Sequence, residues 1–221
     1  MRRCVIIGGG GHCRVVVDIL LSERPAEIAG ILDNDKSRWG GDVYGVPIIG
    51  GDDRLRELTA QGVDSFVVGV GGVSDNRLRQ RLFELGLLAG LIPLTIRHPT
   101  AVVSRYASLG AGVHAFPGAV VNAGAQLGDD VIVNSGAIVE HDCRIGNHVH
   151  IAPGAVVLAG VEIGERAHIG AGAVVRQGLK VGAGAVVGAG AVVIRDVQDD
   201  AVVAGVPATR LITNYELRIK N

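Results

Sequence analysis

The stretch VVNAGAQLGDDVIVNSGAIVEHDCRIGNHVHIAPGAVVLAGVEIGERAHIGAGAVV, residues 120–175, repeats its apolar pattern every six residues. The same register extends both ways, from Val103, Leu109 and Ala115 through Val139, Ile145 and Ile151 to Val181, Val187 and Val193. All of these positions except Ala115 are Val, Leu or Ile. Four residues after each comes a smaller apolar residue, most often alanine, as at Ala119, Ala137, Ala155 and Ala173. A period of six matches neither the 3.6-residue turn of a helix nor the alternation of a flat strand. It predicts a parallel β-solenoid, in which each hexad is a short strand plus a corner and large apolar residues stack from coil to coil.

Composition bounds the rest. Of the residues 48% are apolar, only 3% are aromatic and 34 are glycine, so the core is built from β-branched residues and alanine. A net charge of −1 gives no signal for nucleic acid or an anionic membrane surface. No apolar run approaches the roughly 18 residues of a membrane span, and Arg2-Arg3 is followed by too short an apolar run for a signal peptide. Cys4, Cys13 and Cys143 form no paired framework, which suits a reducing compartment and predicts a cytoplasmic protein. Cys143 falls in an inward slot of its hexad and reads as core.

The first hundred residues follow other rules. Val5-Ile6-Ile7 reads as a buried strand, Gly8-Gly9-Gly10-Gly11 as a tight turn, and His12 to Ser22 as a helix. Further helices are expected at Asp52–Thr59 and Asn76–Leu85, with a strand at Ser65–Val70. The alternation predicts a small parallel sheet flanked by helices, half of a Rossmann unit. The chain therefore divides into an α/β domain at 1–100, a solenoid at 101–211 and a tail at 212–221, the tail read as a short cap on the last coil. A glycine turn opening a helix is suited to a nucleotide phosphate, although Cys13 stands where the dinucleotide fingerprint needs a small residue. Asp33 and Asp35 follow at a spacing fit to accept ribose or sugar hydroxyls, or serve as plain turn acids.

A short α/β unit carrying Gly-Gly-His, followed by hexapeptide repeats containing Val139-Glu140-His141-Asp142 and ending in Ala204-Gly205-Val206-Pro207-Ala208, resembles the sugar O- and N-acyltransferases of the left-handed β-helix superfamily. Within it, the chain is similar to the UDP-4-amino-sugar N-acetyltransferases of bacillosamine synthesis and the sialic acid O-acetyltransferase type. The resemblance implies a left-handed winding, acetyl-CoA as acyl donor, a nucleotide-linked amino sugar as acceptor, a homotrimer and a role in bacterial surface glycan biosynthesis. It also implies roles by position: His141 as catalytic base, Asp142 as the acid that raises its basicity, and His150, Ala171 and Ala189 along acetyl-CoA. Gly10, Gly11, His12, Asp33, Asn34 and Gly71 correspond to the nucleotide-sugar residues. Some relatives have Glu in place of Asp142 or Asp in place of Asn34.

The chemistry agrees with the choice of base. Acyl transfer to an amine or hydroxyl needs a group that takes up a proton near neutral pH, and histidine does so without a large shift. On a strand, adjacent side chains point to opposite sides, so Asp142 can serve His141 only from a corner. His150 and His168 are three hexads apart and should stack on one face. His114 and His148, outside the inward slots, read as solvated, and His98 as a loop residue. A zinc site from His141, His148 and His150 lacks a Cys or carboxylate to complete it, so no metal is expected. An oxidoreductase is disfavoured because a hundred residues leave no catalytic domain beside half a dinucleotide site. The remaining alternatives are a sugar O-acyltransferase and a solenoid scaffold that binds no acetyl-CoA.

Overall fold

A computed structural model describes residues 2–72 and 74–211. The N-terminal part is a sheet with three helices: β1 (Arg3–Ile7), α1 (Gly11–Glu23), β2 (Glu27–Leu32), β3 (Asp42–Val43), β4 (Val46–Gly50), α2 (Leu55–Ala60), β5 (Ser65–Val68), α3 (Arg77–Leu88) and β6 (Ile92–Pro93). The strand order β3-β4-β2-β1-β5-β6 places β1 between β2 and β5, and all pairs but β3–β4 are parallel. Helix α1 forms because Cys13, Val16, Val17 and Leu20 recur at helical spacing and are buried on the sheet. It ends at Arg24, which is in the left-handed conformation.

The solenoid is three-sided. His114, Ile132, His150, His168 and Val186 pair in parallel, one coil apart, on one face. Val102, Val120, Ile138, Val156, Val174 and Val192 form the second face, and Ser108, Gln126, Arg144, Glu162 and Lys180 the third. The strands of these three stacks are two residues long; the second residue of each points inward, and Val121, Val139, Val157, Ile151 and Ile169 are buried with the alanine set in one continuous core. The strand Ile96–Arg97 already pairs with His114–Ala115, so the first coil is entered before residue 101. The tail expected to cap the last coil, 212–221, lies outside the described residues.

From Gly112 to Gly190 the corners turn through a left-handed residue every six positions. Gly136, Gly154, Gly172 and Gly190 do so at φ of 66 to 68°, a conformation that costs other residues roughly 1–2 kcal/mol. At equivalent corners stand Asp130, Asp142, His148 and Arg166, with φ between 57 and 60°. A side chain retained where the repeat favours glycine marks a corner that is used for something else.

The α/β domain sits on the histidine face and is pinned there by Arg79 of α3, which is 1% exposed. Its guanidinium donates to Val68 O and Val70 O at the end of β5, at 3.2 and 2.6 Å, and its Nη2 is 2.6 Å from Asp130 Oδ1. Asp130 Oδ2 is 3.0 Å from His148 Nδ1. Nearby, Asn76 Nδ2 donates to Arg166 O and Ala167 O, and Phe83 packs edge-on against the His148 ring. His148 and His114 were expected to be solvated, yet they are 6% and 1% exposed. The reason is the α/β domain, which covers outward positions that would face water on an isolated solenoid.

Candidate active site

Three groups of residues carry chemistry. The first is the corner Glu140-His141-Asp142-Cys143, between the valine face and the charged face. His141 and Asp142 keep side chains 58% and 73% exposed, with His141 Nδ1 2.8 Å from Asp142 Oδ2. Because Asp142 is the left-handed corner residue, its side chain swings back beside that of its neighbour instead of pointing to the opposite side. A carboxylate accepting from Nδ1–H fixes the tautomer, and Nε2 has no hydrogen-bond partner among the described residues. Cys143 is buried, its Sγ 3.2 Å from Leu158 O, as an inward residue should be.

The second group is a crevice of about 250 Å³ at the C-terminal ends of β1, β2 and β5, where the sheet order reverses and α/β sheets bind ligands. Gly8, Gly9, Gly10, Asp33, Asn34, Arg38 and Asp52 line it, with Val70, Leu78 and Leu82 on the far wall. Asp33 Oδ2 accepts from Gly9 N at 3.0 Å and from Arg38 Nη1 at 3.1 Å, which closes the glycine turn onto the end of β2. A Cβ at Gly9 would lie 2.9 Å from that oxygen, so a larger residue there would push the carboxylate off its two donors. Around Gly10 and Gly11 the backbone is open, and α1 carries no acid in its first turn. Its N-terminus is free to face an anion.

The third group lies at the junction of domain and solenoid. The His12 ring stacks over His114 and Phe116, at centroid distances of 5.8 and 4.9 Å, and Gly71 approaches it so closely that a Cβ there would sit 3.0 Å from His12 Nδ1. His150 and His168 lie one coil apart on the same face, as expected, with their rings edge-on at a centroid distance of 5.1 Å. Asn134 Oδ1 accepts from Ser135 N, so its Nδ2 faces His150 Nε2 at 2.9 Å, and His150 Nδ1–H donates to Gly72 O at 2.6 Å. Both ring nitrogens of His150 are thus engaged.

The sequence-predicted residues therefore fall into separate places in one chain. Gly10, Asp33 and Asn34 meet in the crevice, while His12 and Gly71 meet at the junction. Ala171 and Ala189 stack one coil apart at the corner between the histidine and valine faces, with Gly190 N donating to Ala171 O. His141 is on the opposite edge of the valine face. A surface groove of about 990 Å³ runs along the charged face by Arg144, Glu162 and Lys180 and contains none of them. Arg79 and Asp130 escaped the sequence reading, although Asp130 was visible as a break in the glycine register. Among the described residues no group of three or more His, Cys, Asp or Glu could hold a metal ion, and no helix is long and apolar enough to cross a membrane.

Burial sets the protonation of the junction. Loss of water pushes His150 down to about 3, with His168 adding to the effect, and holds His114 well below its ordinary range, with Arg79 adding to it. Both stay neutral when folded and protonate below about 6.5 when unfolded, so the unfolded chain binds more protons and stability falls as pH drops from 6.5 toward 3. Each histidine contributes about 1.4 kcal/mol per pH unit, roughly 3 kcal/mol for the pair. Thermal melts should show a steep loss of Tm between pH 6.5 and 5. A flat profile would mean that the junction histidines are solvated.

Comparison with known proteins follows the same division. Residues 3–85 match the family described as the PglD N-terminal domain, and residues 142–177 and 160–195 match bacterial transferase hexapeptide repeats. Perosamine N-acetyltransferase PerB from Caulobacter crescentus, solved with CoA and GDP-perosamine, is 41% identical with a TM-score of 0.89, over 96% of this chain and 98% of that one. The acetyltransferase domain of PglB from Neisseria gonorrhoeae, solved with acetyl coenzyme A, is 39% identical with a TM-score of 0.85, over 95% and 99%. UDP-N-acetylbacillosamine N-acetyltransferase of Bacillus subtilis is 34% identical over 113 residues, 51% of this chain. The chain spans about half the length of that curated relative, 50%.

Proposed function

The chain belongs to the left-handed β-helix sugar acyltransferase family, and from that premise we propose that it moves the acetyl group of acetyl-CoA to the amino group of a nucleotide-linked amino sugar. The observation that carries the reading is the exposed His141–Asp142 pair, with Nε2 unpartnered among the described residues, on a solenoid whose other domain presents a crevice at its glycine turn. The sugar amine attacks the thioester carbonyl carbon, a C–N bond forms and the C–S bond breaks. His141 Nε2 takes the amine proton and hands it to the departing CoA sulfur, while Asp142 stabilises the imidazolium in between. Gly10 and Gly11 receive the phosphates, Asp33 and Asn34 the far part of the nucleotide, and His12 and Gly71 the side nearest the solenoid. Ala171 and Ala189 offer backbone groups to the pantetheine arm of acetyl-CoA. His150 meets the thioester only if it releases Gly72 or Asn134, so its replacement should disturb domain docking as well as acetyl-CoA binding.

In one chain the valine face separates His141 from Ala171 and Ala189. The outward residues of that face are all Val or Ile, with Val102 59% exposed, an apolar stripe suited to a second copy. Packing copies on this face brings the His141 corner of one beside the alanine corner of the next, and three copies close the ring. A homotrimer with shared sites follows. Val156→Asp, in the middle of the stripe, should give a monomer by analytical ultracentrifugation that retains the fold and loses most activity. An active monomer would overturn the shared site. Free thiols at Cys4, Cys13 and Cys143 and the nature of both substrates support a cytoplasmic location. The reaction itself is tested by following thiol release from acetyl-CoA across nucleotide-linked 4-amino-sugars. Turnover restricted to hydroxyl acceptors would replace this reading with sugar O-acylation.

A further inference from the structure

Accepting that the crevice holds the nucleotide of the acceptor, we propose that the nucleotide carries guanine and that Asp52, held in place by Asn34, is the residue that reads the base. The order of the strand ends sets the direction of the nucleotide. Phosphates belong to the glycine turn after β1, and ribose to the Asp33 region after β2. The base then falls at the next strand end, where Asn34 follows β2 and Asp52 follows β4. Asn34 is fully oriented there: its Oδ1 accepts from Asp52 N at 3.1 Å and its Nδ2 donates to Asp52 Oδ2 at 2.6 Å. One N–H of the amide remains, and among the described residues Asp52 Oδ1 has no hydrogen-bond partner.

The pair thus presents one donor followed by a carboxylate that accepts twice. Guanine offers the complement, with O6 as acceptor and N1–H and N2–H as adjacent donors, so the carboxylate takes two parallel bonds. Uracil offers a single N–H between two carbonyl oxygens, one of which would face the carboxylate. Adenine and cytosine each bring one exocyclic donor beside a bare ring nitrogen. Partial burial already pushes the Asp52 carboxyl up, and the loss of water is compensated when two N–H groups reach it.

Calorimetric titration of the whole protein with GDP, UDP and CDP tests this. Trp39 serves as a second reporter, because it is the single tryptophan, its Nε1 donates to Asp33 O, and its ring lies beside Gly51. GDP should bind at least about 10-fold more tightly than UDP or CDP, and Asp52→Asn should weaken GDP by about 10- to 100-fold while leaving UDP nearly unchanged. Equal or tighter binding of UDP or CDP overturns the choice of guanine while leaving the nucleotide-sugar function standing. An Asp52→Asn variant that weakens every diphosphate equally removes Asp52 as the reader. No binding of any diphosphate overturns both this inference and the acceptor class on which it rests.

Discussion

His141→Ala should lower turnover on the amino-sugar acceptor by about 10²- to 10⁴-fold with acetyl-CoA binding nearly unchanged, the size expected when a positioned base is removed. Nδ1 is taken by Asp142 at 2.8 Å, so Nε2 is the atom that moves the proton. Removing the ring leaves an amine that is already a fair nucleophile in its free-base form, so activity should fall without vanishing and should recover as pH rises. A hydroxyl acceptor would lose nearly everything, because its proton must be removed for attack. Asp142→Asn should cost far less. A pair this exposed is worth up to about 1 kcal/mol, near fivefold in rate. Equal losses in the two variants would mean that Asp142 does more than orient and stabilise the ring.

The solenoid was legible because its period is written in the residues that stack, and the stack is the structure. Its corners were legible too, since glycine recurs where the backbone turns left-handed, and Asp142 stands out by occupying such a place. What covers each outward face was not written there. His114 and His148 obey the pattern of solvent-facing residues and are buried only because another domain lands on them, a long-range fact with no local signature. Arg79 was hidden for the same reason: in the sequence it is one arginine among several on an amphipathic helix. The crevice was half legible. The glycine turn and Asp33 were readable as a nucleotide-binding pattern, but the coupling of Asn34 to Asp52 requires two strand ends, eighteen residues apart, to meet.

Arg79→Met is expected to be the most destabilising single change, because it leaves the Asp130 carboxylate, 1% exposed, without its countercharge. Breaking a buried pair from one side costs about 3–5 kcal/mol, which for a chain of this length lowers Tm by roughly 10 °C or more. The cost lies in the stranded charge more than in the lost attraction. The double variant Arg79→Met/Asp130→Asn, which removes both charges while keeping a residue that tolerates the left-handed corner and can still pair with His148, should therefore recover much of the stability. Stability and function then separate. Val70, Leu78 and Leu82 form the far wall of the crevice and are attached to the same strand end and helix that Arg79 ties to the solenoid. A recovered double variant should fold and bind acetyl-CoA, yet show a raised KM for the nucleotide sugar, because van der Waals packing replaces five fixed donors at the joint. If the double variant melts as low as Arg79→Met, the arginine is needed for its hydrogen bonds to Val68 and Val70 rather than for its charge. If it recovers both stability and KM, the crevice keeps its position without the ion pair, and α3 alone holds the wall.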